Sequence, residues 1–225
     1  MSWFKPKGPK FSVVIPGQVN QSLTPEEYGF SCVVWAMTAA TDDMNSIFLG
    51  STKQRELIRD LPLCKKIAGV PFYANIAMTM RHVATHYFYV QRALKPRGEI
   101  LSEIARGIGK AIDDMHNGKG KALDATWRQY LKVLASKYIE ALAVEVDGLL
   151  GGQSGDISAF ASPTTELLMK ELADLYKDDS YSKAEHGAAV ASRLALVSSL
   201  NTSVASALQV LTSGAMRITL DDPRA

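Results

Sequence analysis

Residues 71–94 read PFYANIAMTMRHVATHYFYVQRAL, and this stretch decides the fold. Phe72, Ile76, Met80, Val83, Tyr87, Val90 and Leu94 recur at the 3.6-residue period of one helix face. Pro71 stands where a helix tolerates proline, at its start, and Lys95-Pro96-Arg97-Gly98 breaks the pattern at its end. The spacing therefore predicts one long helix from Pro71 to about Leu94. Opposite its apolar stripe fall Arg81, His82, Thr85, His86, Tyr89 and Arg92, and Lys95 and Arg97 extend that polar face into the following loop.

Working outward, the same signals recur on both sides. Thr24-Pro25-Glu26-Glu27 combines an N-cap, a proline at the first helical position and a capping-box glutamate, which opens a helix to about Ala40. Asp42 or Asp43 is placed to cap a second helix to Leu49, stopped by Gly50, and Ser51 to begin another through Leu61, with a short turn over Pro62 to Ala68. From Glu99 to His116, Leu101, Ile104, Ile108, Ile112 and Met115 face one way, with Arg106, Lys110 and Asp113 opposite. Trp127, Leu131, Leu134, Tyr138 and Leu142 predict a long helix over Ala122 to about Leu150. Gly151-Gly152-Gln153-Ser154-Gly155 reads as a linker. Ser162-Pro163 starts a helix to about Lys177, Ser182 begins a capping box for a helix to Leu200, and Asn201 caps a final helix that Gly214 stops. Phe11 to Ile15 and Met216 to Leu220 read as short extended segments.

The expectation is an all-α fold: a multi-helix globular core of about eight helices with short extended N- and C-terminal arms. Residues 1–23 form the first arm, 24–150 a helical core lobe with a basic face, 151–214 a C-terminal helical lobe and 215–225 a tail. The arms hold large apolar residues (Trp3, Phe4, Phe11, Val13 and Ile15 at one end, Met216, Ile218 and Leu220 at the other) that need cover, and they are expected to link subunits.

Charge is laid out in blocks. Thr79 to Tyr138 holds eleven cations against five acids, a net +6, while Ile139 to Ser180 holds two cations against nine acids, a net −7. The whole-chain charge of +2 conceals this polarity. A field of that kind draws in a polyanion or the acidic face of another copy. Arg81, His82, His86, Tyr89, Arg92, Lys95, Arg97, Arg106, Lys110, Lys119, Lys121, Arg128 and Lys132 are the candidate nucleic-acid-binding residues. Cations would meet phosphates, and an aromatic such as Tyr89 would stack bases.

Several chemistries find little support. His82 and His86 lie four apart, yet no third ligand is near in sequence and no glutamate stands between them, so no metal or cofactor is expected. Gly107-Ile108-Gly109-Lys110 and Gly118-Lys119-Gly120-Lys121 lack the glycine spacing and the Ser/Thr of a phosphate loop. Asp113-Asp114 and Asp178-Asp179 are adjacent pairs, whose side chains do not face each other on a helix. Leu194 to Met216 is too polar for a membrane span, the N-terminus lacks a secretory h-region, and Cys32 and Cys64 fit buried free thiols of a cytoplasmic protein.

The expected partners are the chain itself, as homo-oligomer or filament, and single-stranded RNA, with no membrane and no small-molecule substrate. The expected function is a self-assembling structural protein that packages RNA in host cytoplasm or virion. In organisation it resembles a helical nucleocapsid or coat protein of an RNA virus; the architecture carries that likeness and no motif does. The alternative is a helical protein–protein binding module or adaptor recognising an acidic partner, with an all-α enzyme third.

Overall fold

The computed structural model describes residues 8–50, 53–117, 125–150, 161–178 and 188–224. Among these residues the protein is a helical core with one small sheet. Strands β1 (Lys10–Val14) and β2 (Gln21–Leu23) lead into α1 (Pro25–Asp43), which continues without a break as a π-helical turn over Met44–Leu49. Then come α2 (Lys53–Ile58), α3 (Pro62–Gly69) and α4 (Phe72–Tyr89), the last extended by a second π-helical turn at Val90–Leu94. Helices α5 (Gly98–Asn117), α6 (Ala125–Leu150), α7 (Pro163–Tyr176) and α8 (Ala188–Thr212) precede β3 (Arg217–Asp221).

Capping places several starts where the sequence puts them. Glu27 N–H donates to Thr24 Oγ1 at 3.2 Å and Thr24 N–H donates back to Glu27 Oε2 at 2.8 Å, a reciprocal box that opens α1. Ser162 caps α7, whose second residue beyond Pro163 donates to Ser162 Oγ at 3.4 Å. Two expected boundaries are absent. Asp43 does not cap a new helix, because its carboxylate points sideways to α4 and α8 while the backbone stays helical. Asn201 lies inside α8 and accepts from Ser162 N–H at 3.1 Å, so one helix replaces two. The Ser182 box falls outside the described residues.

α4 is the axis of the molecule. α1, α6, α7 and α8 all pack against it, and every residue from Ile76 to Thr85 is buried. The expected polar face is therefore interior, for a simple steric reason: helices cover both sides of α4. Leu168, Leu172, Leu196 and Leu200 share one core with Met80, Leu134, Tyr138 and Leu142, so segments on either side of the glycine run are packed together. The expectation that Leu194 to Met216 is too polar for a membrane span is corrected by α8, which over Val190–Thr212 is long and apolar enough by length and composition; here Leu196, Leu200 and Val204 are spent on that core.

The terminal arms meet each other. β1 is the central strand, antiparallel to β2 on one side and β3 on the other, with Phe11 opposite both Leu23 and Leu220 and Val13 opposite Ile218. Phe11, Val13, Met216 and Ile218 are buried with Tyr28, Ile100 and Ile104, and Ile15 and Leu220 pack at the margin of that cluster. Within the single chain the apolar cover of Phe11, Val13, Met216 and Ile218 is its own α1 and α5, so the burial of these four needs no second subunit. Trp3 and Phe4 lie outside the described residues. An aromatic series, Phe11 on Tyr28 at 4.4 Å, Tyr28 to Trp35 at 6.0 Å and Trp35 to His86 at 5.9 Å, ties the sheet to α4.

α5 lies unusually close to α1. A Cβ on Gly29 would sit 2.1 Å from Ile104 O, and one on Gly107 would sit 1.9 Å from Glu26 O. Gly29 and Gly107 thus let the two backbones touch, which explains Gly107 without any phosphate.

Candidate functional site

The expected nucleic-acid face includes Arg81, His82 and His86, of which the structure buries the first two and half-buries the third. Arg81 is fully buried, donating to Leu200 O at 3.2 Å and Ser203 Oγ at 2.7 Å, with Asp43 Oδ2 at 3.8 Å. His82 Nε2 lies 2.7 Å from the same Asp43 oxygen, and Ser203 Oγ also donates to it. Burial works to raise the Asp43 carboxyl, but the bonds from His82 and Ser203 and the Arg81 charge outweigh it and hold the group below the ordinary carboxylate range. An ionised carboxylate only accepts, so His82 carries its proton on Nε2. Burial pushes the His82 imidazolium down as well. His86 is half-buried, with its Nδ1 sealed without a partner; burial and the neighbouring His82 push it down to about 4.

Ser203 donates to the Asp43 carboxylate and not to a histidine, so the cluster lacks the hydroxyl–imidazole pair of a serine–histidine nucleophile. Among the described residues no group of three or more His, Cys, Asp or Glu side chains has the arrangement to hold a metal ion. The cluster joins α1, α4 and α8 and satisfies buried charge.

Among the described residues, most of the remaining cations are matched by acids from elsewhere in the chain. Arg92 meets Asp147 at 3.3 Å and lies over the Phe88 ring, and Arg97 makes a forked pair with Asp222 at 2.8 and 3.0 Å. Arg106 (3.5 Å) and Lys110 both reach Glu26, whose carboxyl is held down chiefly by the Lys110 hydrogen bond. Lys137 meets Glu171 at 3.2 Å. Tyr89 packs against the cluster under the sheet. Lys95, in the left-handed conformation at φ 45°, and Lys132 are exposed. Lys119, Lys121 and the side chain of Arg128 lie outside the described residues. The basic and acidic blocks of the sequence therefore meet within one chain, at Arg92–Asp147 and Lys137–Glu171.

Among the described residues, what the fold leaves open is apolar. α5 packs on α1 and α6 packs on α4, so α5 and α6 stand apart with α4 as the floor between them. The resulting trough has a volume of about 410 Å³. Met80, Val83 and Ala84 form the floor, Ile108 and Ile112 one wall, and Leu131 and Ala135 the other. Asp113 and Lys132 stand at its rim, and Gly109 opens the α5 wall because it presents no side chain. The lining runs from Ala105 to Asp113 on α5, a rise of about 12 Å, or two helical turns.

Sequence reasoning missed this trough because its residues are the same apolar positions that make a core. Its signal was Gly109 and Ala105 on the apolar side of α5, too small to close the gap to α6. Compared with protein-family models, curated proteins and solved structures, the chain matches none.

Proposed function

We propose that this chain is a helical binding module, an adaptor that takes an acidic amphipathic helix of a protein partner into the trough over α4. The observation that carries the reading is the open apolar trough itself, two turns long and flanked by helices on both sides. A partner helix offers apolar side chains at i, i+3 and i+4 with the same repeat, so two successive turns fill the space. Clefts between the helices of a bundle are a common place for such recognition. Lys132, exposed on the rim, supplies a cation for an acidic residue beside those anchors. RNA packaging by a central basic face has less support, since Arg81 is interior and Arg92, Arg97, Arg106 and Lys110 are engaged by carboxylates.

The test is fluorescence anisotropy with three labelled probes: an amphipathic helical peptide with a glutamate-rich polar face, the same apolar face with lysines, and oligouridylate. The acidic peptide binds wild type, Ala135→Trp abolishes that binding by filling the trough, and Lys132→Glu weakens it about tenfold. Equal binding by Ala135→Trp removes the trough from the account. Tight, salt-sensitive binding of oligouridylate with no peptide binding returns the reading to RNA packaging.

A further inference from the structure

β3 is an outer strand of the sheet, with β1 on one side and no strand on the other among the described residues. An unpaired strand edge offers a row of backbone donors and acceptors, and proteins usually protect it with proline, like charges or a bulge. Arg217-Ile218-Thr219-Leu220-Asp221 has no proline and two end charges of opposite sign. The order of residue types reads the same under a two-fold rotation with the charges exchanged.

We infer that β3 is the seam of a two-fold dimer of this chain, formed by antiparallel pairing of two β3 strands centred on Thr219. In that register Arg217 stands opposite Asp221 of the second copy, and Asp221 opposite its Arg217, so both end pairs are attractive. Thr219 faces Thr219, a favourable cross-strand pair. Ile218 stands opposite Leu220 of the second copy on the core side, which covers Leu220, left only partly buried in the single chain. Arg217, Thr219 and Asp221 are exposed, so the pairing displaces nothing. A shift of one residue either way breaks both charge pairs and moves apolar side chains to the solvent face, which fixes the register. The contact is isologous and closes on itself, giving a six-stranded sheet in place of an open filament. A five-residue seam is small, so the dimer forms and dissociates with concentration.

Sedimentation velocity across a concentration series tests this, with circular dichroism melts to show that each variant is folded. Wild type shifts from the 24.5 kDa chain towards twice that mass as concentration rises. Arg217→Asp places acids at both ends of the strand and Asp221→Arg places cations at both ends, and each weakens self-association about tenfold or more. Mixed in equal amounts, the two variants associate again, because acidic ends now face basic ends. A second measurement does not depend on those substitutions. With dissolved oxygen and a copper catalyst as the two-electron oxidant, Thr219→Cys forms a disulfide-linked dimer, since the two positions are directly opposed and the native Cys32 and Cys64 are buried. A wild type that stays monomeric throughout, single variants that dimerise as wild type does, a mixture that stays monomeric, or a Thr219→Cys protein that fails to cross-link each overturns the proposal.

Discussion

His82 on α4 donates a 2.7 Å hydrogen bond to Asp43 at the end of α1, and the same carboxylate oxygen takes the Ser203 hydroxyl of α8. One acid thus holds three helices and neutralises the buried Arg81 guanidinium beside it. Asp43→Ala leaves that cation buried without its counter-charge, which costs about 3–5 kcal/mol. Urea denaturation monitored by circular dichroism measures the loss, and a change below about 1 kcal/mol would contradict the assignment.

Acid stability follows from the same region. His86 is held to about 4 in the folded chain against an ordinary value near 6.5, so the unfolded chain binds its proton first. The stability this group contributes is complete above pH 6.5 and is lost as the pH falls from 6.5 towards 4, by at most about 3 kcal/mol. Asp43, also held low, adds a further loss below the ordinary carboxylate range. Denaturation curves at pH 7.0, 5.5 and 4.5 are expected to show the fall, and His86→Phe to flatten it.

Gly107 and Gly109 stand two apart on α5 with opposite expected outcomes. The Gly107→Ala methyl would meet the Glu26 carbonyl and force α5 off α1, at a cost of about 1–3 kcal/mol. The Gly109→Ala methyl meets nothing, so the better helix former gains up to about 1 kcal/mol. Thermal melts of the two proteins check both signs.

These contrasts show what the chain's letters disclose and what they hide. Helix starts at Thr24 and Ser162 were legible because a cap is local chemistry between residues three apart. The extended arms were legible for the same reason, though not that Phe11 and Ile218 would meet across one sheet. The orientation of Arg81 and His82 was not legible, because burial depends on which helices cover α4. A hint was present: Arg81 and Arg92 are the only formal charges in residues 71–94, too few for a solvated face. Thr79 and Thr85 bond their own helix carbonyls at 2.8 and 2.9 Å, so they enter the interior without outside partners. The charge blocks did not disclose which charges pair, because separation along the chain says nothing about pairing across it, as Arg92 with Asp147 demonstrates.

The central claim, that recognition occurs in the apolar trough over α4, is tested most directly by hydrogen–deuterium exchange with and without the acidic helical peptide. Protection confined to Met80–Tyr87, Ala105–Asp113 and Leu131–Ile139 is the predicted result. Protection that appears elsewhere, with these three segments unchanged, would contradict it.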